Sequence, residues 1–326
     1  PVIPGAKGII ANDQDALRTA QKIGYPVLIK ASAGGGGRGI RRVDRPDDLL
    51  TALKTAMAEA EASFGIADVY VEKLIENARH VEVQILGDKH GHYVHLGERE
   101  CSIQNSRRQK MIEEAPCPIL DADTRKKMGA AAVRAARAVG YCSAGTVEFL
   151  VDADKKFYFM EMNTRIQVEH PVTEAVTGLD LVKLQLAIAA GDKLPCTQRD
   201  ISFRGHAIEC RITAEDPERA FQPSVGKINR LAWPGGPGVR IDSHMYQGYT
   251  VPPYYDPLLG KLIVWGKDRQ EAIARMLRCL AEMRIEGLKT NTALHSRILL
   301  DPNYQKGEFN TTFVTRKLAD AGREAA

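Results

Sequence analysis

The sequence lacks the marks of a zinc, secreted or membrane protein. Its 6 cysteines include no CxxC pair and its 8 histidines no HExxH spacing, so no zinc site is expected. No apolar run approaches the roughly 18 residues that a membrane span needs, and no secretory signal follows Pro1. These absences predict free thiols, no membrane partner and a cytoplasmic location, or the mitochondrial matrix if the source is eukaryotic.

An excess of charge of either sign is also missing. Lys and Arg number 45 and Asp and Glu 41, for a net charge of +4. Because nucleic-acid binders show denser basic stripes, this balance predicts a small anionic partner and no nucleic acid. The 326 residues, 44% of them hydrophobic and 26% charged, predict an ordinary globular chain of two domains or one large one.

Helix and strand patterns alternate early in the chain, and antiparallel strand patterns dominate later, which predicts an α+β fold. Caps and apolar spacing predict helices from Asn12 or Asp13 to Gly24, from Asp121 or Asp123 to Gly140, and over 180–191 and 268–283. In the third helix Leu181, Leu184, Leu186 and Ile188 are expected to pack inward. The segment 80–85 predicts a strand with one apolar face. Its other face, formed by His80, Glu82 and Gln84, lines either solvent or a site, and periodicity alone favours solvent.

Four consecutive glycines, Gly34 to Gly37, form the most unusual local feature. Without Cβ atoms, their backbone N–H groups can surround an anion. A strand pattern follows the loop, so a dinucleotide fold and a Walker A loop are both disfavoured. The pattern predicts a hairpin that closes over phosphates with Lys30 at its base, and the alternative is an inert hairpin tip.

A second hairpin brings two carboxylates together. If it is centred between Asp154 and Lys155, Glu148 faces Glu161, and Asn163 follows on the same face. Two facing carboxylates repel unless a cation lies between them, and carboxylate and amide oxygens suit magnesium. The alternative is a register shifted by one residue, which separates the carboxylates.

The segment after this hairpin alternates Arg165, Gln167 and Glu169. If the chain is extended here, the three side chains point the same way and form a small anion pocket with its own base. The alternative is an edge strand whose polar side chains face solvent.

Four longer motifs resemble those of biotin carboxylase, an ATP-grasp enzyme that occurs alone or within acetyl-CoA, propionyl-CoA and pyruvate carboxylases. The motifs cover 30–39, 161–174, 204–211 and 248–261, which span most of the chain. The resemblance implies an ATP-grasp lid over 1–74 and a body with the biotin carboxylase C-terminal region over 75–326. It also implies that the family's N-terminal Rossmann-like domain is absent.

The implied reaction is the ATP- and bicarbonate-dependent carboxylation of biotin through carboxyphosphate. Biotin would be carried by a biotin carboxyl carrier protein or domain, and a further partner would be a carboxyltransferase subunit. A homodimer through the body is also implied, with Arg275 as a candidate contact. The acyl-CoA or keto acid that is finally carboxylated is not encoded in these motifs.

The resemblance also assigns roles to residues. Glu169 would be the general base, and Arg240 would stabilise the enolate of biotin. The implied catalytic residues are Lys110, Arg165, Glu169 and Arg240, and the implied bicarbonate ligands are Lys110, Arg165, Gln167, Val168 and Arg240. Magnesium or manganese would be held by Glu148, Glu161 and Asn163. The implied ATP contacts are Lys30, Gly36, Gly37, Glu72, Lys73, Leu74, Ile75, His80, Gln104, Glu148 and Glu161.

One local departure affects these assignments. The stretch from Gln104 to Lys110 is one residue longer than the family pattern, near Asn105 and Ser106, and puts Arg108 where a histidine is expected. Lys110 keeps its phase with Glu113, so its role transfers and the histidine's does not. Two alternatives stay open: another ATP-grasp ligase, such as a carbamoyl-phosphate or purine-pathway enzyme, and a non-catalytic or weakly active ATP-binding fragment.

Overall fold

A computed structural model describes residues 1–33 and 39–324 of the chain. Gly36 and Gly37, the predicted phosphate contacts, lie outside these described residues. The helices are α1 (Asp13–Ile23), α2 (Leu49–Phe64), α3 (Ala122–Ala138), α4 (His170–Thr177), α5 (Leu181–Ala190), α6 (Arg269–Glu282), α7 (Thr292–Leu300), α8 (Pro302–Gln305) and α9 (Phe313–Glu324). Short 3₁₀ helices cover Pro46–Asp48, Gln198–Asp200 and Pro217–Arg219.

The strands follow the same chain order and confirm the α+β class. They are β1 (Val27–Ala31), β2 (Ile40–Val43), β3 (Val69–Lys73), β4 (Arg79–Gly87), β5 (Tyr93–Gln104), β6 (Lys110–Ala115), β7 (Ser143–Val151), β8 (Phe157–Asn163), β9 (His206–Thr213), β10 (Glu215–Asp216), β11 (Gln222–Pro223), β12 (Gly226–Lys227), β13 (Arg230–Ala232), β14 (Val239–Ser243), β15 (Thr250–Val251), β16 (Leu258–Gly266) and β17 (Arg284–Glu286).

The chain divides into two compact units. The first unit comprises Pro1–Glu76 and Tyr158–Met160, and the second comprises Asn77–Phe157 and Glu161–Ala326. In the first unit, β1 lies between β2 and β3 in an antiparallel sheet. Helix α1 begins after Asn12, whose side chain accepts a hydrogen bond from the Asp15 N–H at 2.9 Å, and ends before Gly24 at a φ of 81°. The predicted first helix is therefore confirmed.

An eight-stranded sheet has the order β14-β16-β9-β6-β5-β4-β7-β8, and its strands belong to the second unit except for Tyr158–Met160 of β8. Strand β9 alternates between the two faces of this sheet. Ile208, Cys210 and Ile212 share an apolar core with α6, whereas Ala207 packs with Val172 of α4. Glu209 and Arg211 therefore lie on the face that α4 covers.

Two expectations about packing are wrong. The polar face of β4 is buried, with His80 at 9%, Glu82 at 0% and Gln84 at 0% exposure, because β5 and β7 flank the strand and the side chains of Arg99 and Lys110 cover this face. On α5, Leu181 and Ile188 are buried but Leu186 is 68% exposed. Leu186 lies five residues after Leu181, so it is rotated about 140° from Leu181 around the helix axis. This rotation places Leu186 outside the buried face of α5.

Among the described helices, none combines the length and the apolar character needed to cross a membrane.

Candidate active site

Three charged side chains lie in a row across the middle of the large sheet. Glu82 on β4 is directly opposite Arg99 on β5 and Glu148 on β7. Facing positions on antiparallel strands bring side chains within contact distance. Register alone therefore places the buried carboxylate of Glu82 between a cation, Arg99, and a second carboxylate, Glu148.

Arg99 is fully buried and binds side chains from four other segments. Its Nε donates to Glu82 Oε1 at 2.6 Å, and its remaining nitrogens donate to neutral oxygens. Those acceptors are Gln84 Oε1 at 2.6 Å, Thr146 Oγ1 at 3.1 Å, Thr173 Oγ1 at 3.1 Å and Gln167 Oε1 at 3.2 Å. A guanidinium with this many acceptors fixes the site's framework in one geometry.

Lys110, at the start of β6, bridges three carboxylates. Its Nζ lies 2.6 Å from Glu82 Oε2, 2.6 Å from Glu169 Oε1 and 3.2 Å from Glu148 Oε1. Burial works against the charged ammonium, but the neighbouring carboxylates outweigh it and raise the pKa of Lys110 well above its ordinary value. The structure thus brings together Lys110, Glu148 and Glu169, as predicted for one site.

Glu148 is one of the three predicted metal ligands. Burial favours its neutral form, yet contacts with His80, Lys110 and Gln167 lower its pKa well below the ordinary value. Its Oε1 accepts hydrogen bonds at 3.0 Å from both Asn163 Nδ2 and Gln167 Nε2, and its Oε2 lies 3.1 Å from His80 Nε2. An ionised carboxylate beside an amide on the next strand is a donor set that fits magnesium.

The turn of the second hairpin differs from the prediction. Its turn is closed by Asp152 N donating to Lys156 O at 2.9 Å, so it is symmetric about Asp154, and the predicted centre between Asp154 and Lys155 is wrong there. Glu161 lies on β8, exposed, two residues before Asn163. The facing of Glu148 and Glu161 stays a prediction.

Residues 164–169 form a loop that leads into α4, so the extended segment and the edge-strand alternative are both wrong. The loop nevertheless brings Gln167 to Glu148 and Glu169 to Lys110. Arg165 is exposed, and its nitrogens lie 3.2 Å from Ile166 O and 3.3 Å from Asn163 Oδ1, both neutral oxygens. Its positive charge is thus available to an incoming anion.

Glu169 is the N-cap residue of α4 and is 2% exposed. Besides Lys110, it contacts Arg211, whose Nη2 donates to Glu169 Oε2 at 2.8 Å. Burial raises the pKa of Glu169, but Lys110 and Arg211 outweigh burial and leave it well below the ordinary value. Glu169 is therefore held as a carboxylate between two cations.

The sequence predicted no role for Arg211, although Arg211 lies in the motif over 204–211. Its Nε donates to Glu113 Oε1 at 2.6 Å. The signal that could have revealed it is the alternation of β9, which puts Glu209 and Arg211 on one face of a strand whose other face is apolar. Glu82 was predicted only as part of the polar face of β4, and Arg99 of β5 was not singled out.

Arg240 is placed differently from this cluster. Its Nη1 donates to Glu174 Oε2 at 2.6 Å, and its Nε and Nη2 each donate to Asp242 at 2.8 Å. It lines an open groove of about 770 Å³. Asp242 also lies 3.4 Å from Lys261 Nζ, which donates to Val168 O at 3.0 Å. Asp242 and Lys261 thus connect Arg240 to the backbone of Val168, a predicted bicarbonate ligand.

Gln104 and His80 are brought together beside Glu148. Gln104 Nε2 lies 2.9 Å from His80 Nδ1, and both residues are buried. Strand β5 then turns at residues 105–109, where Arg108 has a φ of 62° and donates its N–H to Asn105 O at 2.9 Å. Lys110 pairs with Gln104 across this turn, so a stretch one residue longer, as the resemblance implies, is compatible with the pairing.

The first unit holds the remaining predicted ATP contacts. Lys30 Nζ lies 2.5 Å from Glu72 Oε1, and Lys73 Nζ donates to Gly24 O at 3.0 Å and to Tyr25 O at 2.9 Å. Leu74 N donates to Pro26 O at 3.2 Å, and Ile75 follows, half-buried. These contacts fix the end of β3 but leave the nucleotide roles as predictions.

Two family descriptions match the chain. Residues 1–197 match the ATP-binding domain of the carbamoyl-phosphate synthase L chain, and residues 209–316 match the biotin carboxylase C-terminal domain. The biotin carboxylase of Nostoc sp. is 57% identical over 314 residues, which cover 96% of this chain and 70% of the relative. Biotin carboxylase 1 of Bacillus subtilis is 54% identical, with 96% and 70% covered.

The chain belongs to the biotin carboxylase family.

Solved structures agree with this membership of the biotin carboxylases. The biotin carboxylase domain dimer of Hydrogenobacter thermophilus 2-oxoglutarate carboxylase, in complex with MgADP, ADP and bicarbonate, superposes with a TM-score of 0.91 at 49% identity. The superposition covers 97% of this chain and 70% of the Hydrogenobacter chain. The Campylobacter jejuni biotin carboxylase complex with β,γ-ATP also gives 0.91, at 48% identity and the same coverage.

Membership settles the class of reaction. The chain is an ATP-grasp ligase that carboxylates biotin with ATP and bicarbonate, and neither a different ATP-grasp ligase nor a non-catalytic module is favoured. Its cofactors are ATP, magnesium and biotin as substrate. Glu148 and Asn163 offer this chain's oxygen donors for the metal, which would neutralise phosphate charge.

Proposed function

We propose that Lys110, Glu169 and Arg211 form the reaction centre of this biotin carboxylase. The observation that carries the proposal is the buried carboxylate of Glu169, held by Lys110 Nζ at 2.6 Å and by Arg211 Nη2 at 2.8 Å. Such a carboxylate can take the proton of bicarbonate while a bicarbonate oxygen attacks the γ-phosphorus of ATP. ADP then leaves, and carboxyphosphate remains beside the same cations.

The two cations make Glu169 a weak base in the ligand-free site. A bound bicarbonate would compete for Lys110, because the anion and Glu169 seek the same ammonium group. As Lys110 turns toward the anion, Glu169 loses one stabilising contact and its proton affinity rises. Substrate binding would therefore activate the base.

Arg165 supports the proposed anion site because its guanidinium faces neutral oxygens. We propose that Arg165, Gln167 and the backbone of Val168 hold bicarbonate with Lys110. Gln167 is positioned by donating to Glu148 and by accepting from Arg99 at 3.2 Å. A site prepared in this way loses little entropy when the anion binds.

We propose Arg211, rather than Arg240, for the stabilisation of the biotin enolate. Arg211 shares Glu169 with Lys110, whereas the contacts of Arg240 are with Glu174 and Asp242. The negative charge of the enolate develops where carbon dioxide is released, so the cation beside Glu169 is the better placed one.

Several finer assignments stay proposals. Metal binding by Glu148, Glu161 and Asn163 is supported by the donor chemistry. Nucleotide binding by His80 and Gln104 is supported by their place next to Glu148. The roles of Lys30, Glu72, Lys73, Leu74 and Ile75, and the division into a lid over 1–74 and a body over 75–326, are supported by the family likeness.

The partners of this enzyme are also proposals, and they are supported by its relatives. Delivery of biotin by a carrier protein or domain, and transfer by a carboxyltransferase, are supported by relatives such as a pyruvate carboxylase component of Methanothermobacter thermautotrophicus. Self-association is supported by the dimeric Hydrogenobacter domain. Arg275 binds Glu271 at 2.7 Å and Trp265 O, which leaves it a weak candidate contact. A cytoplasmic location stays a prediction.

The deciding experiment measures ADP release with ATP and magnesium, with and without bicarbonate and free biotin. Stimulation by bicarbonate that requires biotin is expected, and Glu169→Gln is expected to abolish it. Glu218→Gln, on the exposed 3₁₀ turn Pro217–Arg219, is the matched control. ADP release that ignores bicarbonate, or survives Glu169→Gln, would contradict the proposal.

A further inference from the structure

Glu209 on β9 is a buried carboxyl group to which the proposed reaction assigns no role. It is 0% exposed, and neither of its carboxyl oxygens has a hydrogen-bond partner among the described residues. Directly opposite it on β6 is Glu113, also 0% exposed, whose Oε2 has no partner in the described chain. Two acids thus face each other in the interior with three oxygens unsatisfied.

The charged groups around Glu209 do not provide it with a donor. Arg211, on the same face of β9, gives its Nε to Glu113 and its Nη2 to Glu169. Lys261, on the neighbouring strand β16, gives its Nζ to Val168 O. The helix α4 adds His170, whose pKa burial lowers, and Glu174, which binds Arg240.

We propose that Glu209 is a positioning residue that carries a proton in the working enzyme and shares it with Glu113 Oε2, directly or through one bridging water. An ionised carboxylate buried without a donor is strongly disfavoured, so the neutral acid is the stable form. Its O–H is also the missing donor for Glu113. Burial and repulsion by Glu113 raise the pKa of Glu209 well above its ordinary value, in agreement with this state.

The shared proton limits the negative charge around Arg211. Burial raises the pKa of Glu113 to about 7, so Glu113 and Glu209 take up protons as a pair. With one proton held by this pair, the guanidinium has one nitrogen for Glu113 and one for Glu169. With Glu209 ionised, a third carboxylate would compete for Arg211 and weaken its contact with Glu169. The inference therefore rests on the proposed roles of Glu169 and Arg211, but the protonation of Glu209 can be measured without catalysis.

Infrared difference spectroscopy between wild type and Glu209→Gln at pH 8 tests the proton directly. The wild type should show the carbonyl stretch of a protonated carboxylic acid, and the variant should lack it. Glu114→Gln is the control, because Glu114 is the next residue on β6, equally buried but bound to His206 and Arg269. A wild-type band that Glu209→Gln leaves unchanged would overturn the proposal.

Stability provides a second readout if the spectra are crowded. A carboxyl whose pKa is raised on folding stabilises fully below its unfolded pKa, and this contribution is lost as pH rises through the folded pKa. The melting temperature of Glu209→Gln, relative to wild type, should therefore rise steadily from pH 5 to pH 9. A difference that stays constant with pH, or one that falls, would contradict a protonated Glu209.

Activity then separates positioning from mere packing. Glu209→Gln keeps a donor for Glu113, whereas Glu209→Leu has none, so the glutamine variant should retain kcat/KM about tenfold better than the leucine variant. The ratio of glutamine variant to wild type should grow as pH rises. Equal losses at every pH would reject the positioning role. If wild type itself fails to respond to bicarbonate, the proposed function fails, while the spectra and melting curves still decide the state of Glu209.

Discussion

Lys110 and Glu169 are joined by a contact of 2.6 Å between Nζ and Oε1, inside a cluster where Lys110 also meets Glu82 and Glu148. The residues come from a strand start and a helix N-cap that are 59 positions apart. A single ammonium group thus links the proposed base to the proposed metal ligand. Any anion that attracts Lys110 will weaken the contacts of Lys110 with both carboxylates at once.

Lys110→Met is expected to lower kcat for bicarbonate-dependent ADP release about 100-fold or more, because a buried cation at a reaction centre contributes on this scale. The melting temperature should also fall, since three carboxylates lose their shared partner. Lys126→Met, at an exposed position of α3, is the control and should change neither quantity. Retained activity in Lys110→Met would remove Lys110 from the reaction centre.

We predict opposite effects on biotin carboxylation for substitutions of Arg211 and Arg240. Arg211→Met should reduce biotin carboxylation about 100-fold, because the cation beside Glu169 is lost. Arg240→Met should largely spare carboxylation, because the cation in the Glu169 cluster remains. Steady-state rates with free biotin compare the two variants directly. The reverse ranking would favour the role that the family resemblance implies for Arg240.

Acid should weaken the β6–β9 region through Glu114. Burial works against its charge, but hydrogen bonds from His206 and Arg269 lower the pKa of Glu114 to about 2. A lowered carboxyl pKa contributes stability above the unfolded value, and that contribution, about 3 kcal/mol here, is lost as pH falls from about 4.5 to 2. Urea unfolding should show Glu114→Gln less stable than wild type at pH 7, with the gap closing toward pH 3. A gap independent of pH would argue against an ionised Glu114.

Gly129→Ala should destabilise the second unit by about 1–3 kcal/mol, because the added Cβ on α3 would overlap the His95 ring of β5. Gly235→Ala is the control, since a Cβ there meets nothing within 4 Å. Denaturant midpoints measure both. Equal midpoints for the two variants would mean that α3 can shift away from β5 without cost.

The elements with strong local signals were predictable. Asn12, Asp121, Asp180 and Asp268 each cap the helix that follows, because their side chains accept a backbone hydrogen bond in the first turn. The joining of Lys110, Gln167 and Glu169 around Glu148 was also predicted, through the family motifs. These features depend on short spacing or on a recognisable string of residues.

The predictions that failed concern contacts between residues that are distant in sequence. The alternation of β4 is the same whether its polar face meets water or Arg99, and only the neighbouring strands decide. Glu113 and Glu209 are 96 residues apart (209 − 113), so their facing cannot be read from either segment alone. The bend at residues 164–169 was missed because alternating polar residues also occur in loops.

The turn at residues 105–109 has one further consequence. Arg108 occupies a left-handed conformation there, and Ser106 to Gln109 are exposed at the tip of the β5–β6 hairpin. A tip of this kind can change in length while the strands on either side keep their alignment. The enzyme therefore has, directly before Lys110, a turn in which insertions and deletions can accumulate without moving the reaction centre.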